Sequence, residues 1–163
     1  MLVVSDTSPL SNLALIDRLD LLREQFGRVL VPLAVSRELS ALREPTARLA
    51  LARAITDGWL VETSLPEDAP FPAELEGLDP GETEAVRLAY LRSPEAVLMD
   101  EREGRERAAL LGIRAIGVLG VLLVGKRDGS LSSVSEEIHR LRKEAGFFIS
   151  QSLEAEILEL AGE

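Results

Sequence analysis

Short apolar runs alternate along nearly the whole chain with stretches whose apolar residues recur every three or four positions. Val3–Val4 lead into the polar turn Ser5-Asp6-Thr7-Ser8-Pro9, after which Leu10, Leu13, Leu15 and Ile16 take up helical spacing. Val29-Leu30-Val31 ends at Pro32, which suits a first helical turn because the N–H it lacks would be unbonded there anyway. Val35, Leu39 and Leu42 continue that helix at spacings of four and three. A helix over Pro45–Thr56 closes at Asp57-Gly58, and Trp59-Leu60-Val61 is the next strand. Residues 64–78, rich in Pro and Glu, predict a surface loop. Asp79-Pro80-Gly81-Glu82 opens another helix, with Asp79 as cap, Pro80 in the first position and Glu82 at capping-box spacing. The strand Ala96–Met99 precedes a charged helix over Glu101–Leu111 that ends at Gly112. A fifth short strand, Ile113–Gly117, precedes a buried helix over Val118–Lys126, and two amphipathic helices follow near 133–145 and 151–161.

Strands that are apolar throughout, alternating with helices, imply a parallel sheet covered on both faces. The expected architecture is a three-layer α/β/α fold with a central parallel sheet of about five strands, a single domain over 1–163. Apolar residues make up 46% of the 163, enough for a real core, and with aromatics at 4% the packing falls to Leu, Val, Ile and Ala.

Charge narrows the function. The net charge of −10 argues against an indiscriminate nucleic-acid binder, whose affinity would come from neutralising phosphates. An acidic enzyme acting on RNA is compatible with it if several carboxylates surround cations. The chain has no cysteine, which removes disulfides, thiolate nucleophiles and zinc–thiolate sites together. No basic stretch precedes an apolar run at the N-terminus, and no run approaches the ~20 apolar residues of a membrane span. A cytoplasmic location without a membrane partner is expected.

Ligands of open parallel sheets bind beyond the carboxyl ends of the strands. Asp6 follows the first strand and Asp100 the fourth, with Glu101 beside it. Glu38 shares a helix stripe with Ala34, Val35 and Leu42, and Glu84 shares one with Leu88 and Leu91. A carboxylate on a core-facing stripe is costly unless paired or bound to a cation. Four arranged this way favour a shared cause: a hard divalent cation, Mg²⁺ or Mn²⁺, held by oxygen ligands alone. Such a site could drive phosphodiester hydrolysis with no protein nucleophile.

The segments VVSDTSPLSNLALI, VPLAVSREL, LDPGETEAVRLA, VLMDEREGRERAALLGI and GVLGVLLVGKRDG, in this order from residue 2 to about 130, resemble the PIN domain. They are most similar to the subgroup whose third acidic residue lies in a Gly-Glu-x-Glu-Ala segment. The resemblance implies a magnesium- or manganese-dependent nuclease, commonly an RNA-cleaving toxin held inactive by an antitoxin. RNA, an antitoxin protein and a second copy in a homodimer are therefore the partners to look for. Carried over by position, Asp6 matches the first family aspartate, Glu38 the glutamate of the second helix, Glu84 the third acidic position and Asp100 the aspartate after the fourth strand. These four are the expected catalytic and metal-binding residues. Thr7 or Ser8 corresponds to the hydroxyl supporting the first aspartate, and Asn12 is expected in the same pocket. Many members have Asp where Glu84 stands, and the subgroup often has a second aspartate where Glu101 stands, which makes Glu101 a further metal candidate. Glu82 competes for the third role, but capping explains it without a metal, and Glu84 is preferred.

Other signals lead elsewhere. Gly120–Lys126 spells G-x-x-x-x-G-K, yet Arg127 follows where a phosphate loop needs Ser or Thr, and the four intervening residues suit a buried helix. His139, the only histidine, has polar neighbours and is expected at the surface. Arg102, Arg105 and Arg107 are expected to pair with Glu101, Glu103 and Glu106 along their helix. The stripe Ile149, Leu153, Ile157 and Leu160 is expected to cover the core. Two further functional classes are a PIN-like binding module that does not cleave and a receiver-like or phosphatase-like domain. The latter needs an Asp-x-Asp pair after the first strand and a lysine at the fifth, and has neither.

Overall fold

Val3 and Val4 point to opposite faces of one strand and both are fully buried, so the sheet is covered on both sides. A computed structural model describes all 163 residues, Met1–Glu163. The strands are β1 (Leu2–Ser5), β2 (Arg28–Pro32), β3 (Leu60–Thr63), β4 (Ala96–Leu98) and β5 (Ala115–Ile116). They form one parallel sheet in the order β3-β2-β1-β4-β5. The helices are α1 (Thr7–Leu15), α2 (Asp20–Phe26), α3 (Leu33–Ser40), α4 (Pro45–Thr56), α5 (Pro80–Arg92), α6 (Arg102–Leu110), α7 (Val118–Arg127), α8 (Val134–Ala145) and α9 (Gln151–Leu160). The three-layer α/β/α architecture is as expected.

The two faces are unequal. Val3, Val29, Val31, Leu60, Ala96 and Leu98 belong to a core of 29 buried residues, completed by helices that include α1, α2, α4, α7 and α8. Val4, Leu30, Val97 and Met99 face a core of 10, closed by α5 and by Ala108 of α6. Chain order reverses between β1 and β4: β1 leads outward to β2 and β3, whereas β4 leads the other way to β5. In an open α/β sheet that reversal opens a crevice at the carboxyl ends of the two strands.

Four local details differ from the sequence reading. Asp20–Phe26 is a separate helix, set off from α1 by Asp17 at φ 56, and its Leu21, Leu22 and Phe26 are buried; seven residues are too few for the period to stand out. Residues 64–78 are not wholly surface, because a 3-10 turn at Ala73–Leu75 sends Leu75, fully buried, into the smaller core. The fifth strand shrinks to Ala115–Ile116, since an edge strand has one neighbour and pairs only Val97 with Ala115 and Leu98 with Ile116. Of the C-terminal stripe, Ile149 and Ile157 are buried while Leu153 and Leu160 are exposed. His139 is exposed as expected.

Candidate active site

β1 ends at Ser5, and Asp6 caps the start of α1 in extended backbone, so its carboxylate stands at the crevice where chain order reverses. Its backbone N–H donates to the Leu98 carbonyl of β4 at 2.9 Å, which ties it to the neighbouring strand. A cleft of 350 Å³ opens there, and no hydrophobic residue lines it. Its walls carry the carboxylates of Asp6, Glu38, Asp79, Glu82, Glu101 and Glu103, with Thr7 and Ser8 between them.

Each wall has a local reason. The Asp79 carboxylate accepts the Glu82 N–H at 2.8 Å, and Glu82 reaches back toward the Asp79 N–H at 3.4 Å, so a complete capping box sets the first turn of α5. Gly81 lies inside that turn. A methyl group there would sit 2.6 Å from Glu38 Oε1 and 3.3 Å from Asp6 Oδ1, so glycine lets both carboxylates close on α5. The Thr7 hydroxyl donates to Glu38 Oε2 at 2.6 Å. The hydroxyl expected from Thr7 or Ser8 in support of Asp6 goes elsewhere: the Thr7 hydroxyl serves Glu38.

Burial and neighbouring carboxylates raise the proton affinity of Asp6 and Glu82. Asp6 is 3% exposed, and burial first, then the charges of Asp79, Glu82 and Glu38, push its pKa up to about 7 against the pull of the Thr7 N–H. Glu82 is raised by burial and by Asp79, Glu101 and Glu103.

The structure does not bring all four expected residues to one cleft. Asp6 and Glu38 meet. Glu84 does not line the cleft: its Oε2 accepts the Ala34 N–H at 2.9 Å, satisfying a free donor in the first turn of α3. Glu82, the competitor set aside as a cap, both caps and faces the cleft. Asp100 stands next door, lining a larger groove. Its Oδ1 accepts the Val118 N–H at 2.7 Å and its Oδ2 the Asn12 amide at 3.3 Å, and burial raises its pKa against these bonds and Arg105. Ser8 and Glu101 line both spaces and join them. The sequence marks Asp79 only as a helix cap and Glu103 only as a partner for the α6 arginines, and neither as a site residue. The capping box already placed Asp79 on the same turn as Glu82, while Glu103 also pairs with Arg107 at 3.2 Å.

An all-oxygen donor set, with no apolar wall and a buried aspartate raised by neighbouring charges, fits a hard divalent cation. No three of the carboxylates converge closely enough to hold an ion as they stand. The fit therefore rests on donor chemistry and on the electrostatic need for positive charge.

A family model described as a PIN domain matches residues 2–163. No curated protein matches the chain. Among solved structures, the fold is similar to a PilT N-terminus domain protein from the hyperthermophilic archaeon Sulfolobus solfataricus P2. That likeness has a TM-score of 0.54 and 16% identity over 76% of this chain and 92% of the other. At that identity it speaks for the fold alone. No helix is long and apolar enough to cross a membrane.

Proposed function

Because the chain belongs to the PIN-domain family, whose members are typically metal-dependent nucleases, we propose that it hydrolyses RNA phosphodiester bonds at the acidic cleft. The observation that carries this reading is the cleft itself, in which six carboxylates crowd a space with no cationic wall. Asp6, Glu38 and Glu82 would hold Mg²⁺ or Mn²⁺, with Glu101 and Asp100 on the side toward the larger groove. Glu84 is left out because the α3 N-terminus engages it. When bound, the cation supplies positive charge that polarises the phosphate and acidifies the attacking water. The protein's part is to hold donors in place: Thr7 fixes Glu38, Asn12 and the Val118 N–H fix Asp100, and the α5 capping box fixes Glu82. The reading extends to one domain over 1–163 in the cytoplasm. The biological setting we propose is the toxin of a toxin–antitoxin pair, as the resemblance implies.

The test is to incubate the purified protein with a mixed RNA substrate, with and without Mn²⁺, beside Asp6→Asn, Glu82→Gln and Glu84→Gln. Cleavage is expected to need Mn²⁺, to fall at least about a hundredfold in the first two variants, and to persist in the third. One observation favours a second reading: the carboxylates stop short of ligating geometry. Absence of cleavage by folded wild type, freed of any antitoxin, would establish a binding module instead.

A further inference from the structure

Three arginines follow Asp100 on α6, and the fold treats them differently. Arg102 pairs with Glu106 and Arg107 with Glu103, the expected i,i+4 pairing of a solvated helix face. Arg105 enters no ion pair. Its Nη1 donates to the Met99 carbonyl at 3.1 Å, which lays the guanidinium beside Asp100, and a methyl group on Gly117 would come within 2.8 Å of it. From there a groove of 1280 Å³ runs from Asn12 and Asp100 along the free edge of β5 and the flank of α7 to Phe147 and Phe148.

Phe148 is 89% exposed, the most exposed large apolar side chain in the molecule. It does not sit on loose chain. On one side the Phe147 N–H donates to the Leu141 carbonyl at 3.1 Å; on the other the Ile149 carbonyl accepts from Arg142 at 3.4 Å. Ile149 is buried in the larger core and Phe147 packs against it. A ring held out on an anchored segment is pre-organised for a flat apolar ligand. The same groove is lined by Arg114, exposed, with a side chain in no hydrogen bond or ion pair. Acidic residues also border the groove: Glu106 is taken by Arg102, Asp128 by Arg127, and Glu24 accepts from Ser130, while Asp100 lies beside Arg105 and Glu95 and Glu101 enter no ion pair. Arg105 and Arg114 are the groove's arginines in no ion pair; Arg105 has the Asp100 carboxylate beside it, whereas the exposed Arg114 has its guanidinium free for an anionic ligand.

Spaced cations beside an exposed aromatic ring are the elements that bind single-stranded nucleic acid, through phosphates and stacked bases. A paired base could not present its face to Phe148. We propose that this groove binds single-stranded RNA flanking the bond to be cut, with Arg105 and Arg114 on backbone phosphates and Phe148 stacked on a base. The link to chemistry rests on the nuclease reading above, since Ser8 and Glu101 form walls of both groove and cleft and would pass one strand between them.

Binding is measured by fluorescence anisotropy with a labelled mixed-sequence RNA of about ten nucleotides, in EDTA at low salt so that no metal-dependent reaction runs. Phe148→Ala and Arg114→Ala are each expected to weaken binding by about tenfold. Phe148→Tyr keeps the stack and the affinity. Phe71→Ala, which removes an exposed ring outside the groove, leaves binding unchanged, and wild-type affinity falls as salt rises. Equal affinity in wild type, Phe148→Ala and Arg114→Ala overturns the proposal, as does failure of wild type to bind. A wild-type dimer that Phe148→Ala converts to monomer also overturns it, because a second copy then covers the groove. Groove-dependent binding without cleavage in Mn²⁺ would sink the nuclease reading and leave single-stranded RNA binding by the groove standing.

Discussion

Asp6 and Glu137 are each 3% exposed, yet the molecule treats the two buried carboxylates in opposite ways. Glu137, on α8, takes two hydrogen bonds from Arg18 at 3.0 and 2.8 Å and one from Arg140 at 3.0 Å. Its charge is answered by the protein. Asp6 has Glu38, Asp79 and Glu82 around it, and its charge is opposed by the protein. Burial alone therefore does not mark a functional acid. What marks Asp6 is burial among like charges, an arrangement that destabilises the fold unless something positive arrives from outside.

The sharpest test of this contrast is stability in chelator at pH 8. Glu137→Gln should cost about 3 kcal/mol, because two arginines lose their anion. Asp6→Asn should stabilise, by up to about 4 kcal/mol given a pKa raised from 3.8 to about 7. Chemical denaturation of both variants reads the two signs; a loss in both would end the comparison.

The same shift sets a pH dependence. Asp6 has a folded pKa above its unfolded one, so the native state binds the extra proton between about pH 4 and pH 7. Without a cation, stability should fall as pH rises through that window and level off above it. Glu82 and Asp100, also raised, add to the same slope. Thermal melting from pH 4 to 8 should show the fall in wild type, a shallower one in Asp6→Asn, and recovery with Mn²⁺ at pH 8. A wild-type profile that rises across the window would contradict the assignment.

A smaller effect separates Glu82 from Glu84. Glu84→Gln should cost about 1 kcal/mol by weakening the bond to the first turn of α3, and should keep the full Mn²⁺-induced rise in melting temperature. Glu82→Gln should blunt that rise. Equal rises in the two variants would remove Glu82 from the cation site.

The smallest expected change is at Gly81. Gly81→Ala should shift the melting temperature by no more than a few degrees, since alanine favours helix by about 1 kcal/mol. Its methyl group would press on Glu38 Oε1 at 2.6 Å. Mn²⁺ titration should then show affinity reduced about fivefold, on the scale of about 1 kcal/mol for a displaced ligand. Unchanged affinity would mean that Glu38 has room to turn aside.

Local pattern was enough for the architecture. Short apolar runs and 3.6-residue spacing act within a few residues, and the expected α/β/α alternation appears as five parallel strands and nine helices. Asp6 and Asp100 were legible because each follows an apolar strand, and ligands of open sheets gather at strand ends. The capping box Asp79–Glu82 was legible too, since its bonds join residues three apart. What each box residue faces was not.

Glu82 and Glu84 share a helix but stand two residues apart, about 200° around it. Either could be read toward a site. Only the packing of α5 against α3 and β1 turned Glu82 into the cleft and Glu84 onto the Ala34 N–H. The same holds for the arginines of α6. Arg102 and Arg107 found partners one turn away, as spacing suggested, while Arg105 was left beside Asp100 and Gly117, residues brought together by the pairing of β4 with β5. Which elements form follows from neighbours along the chain. Which charge goes unanswered follows from neighbours across it, because Coulomb energy and desolvation depend on spatial distance and burial, and the chain reports neither until it folds.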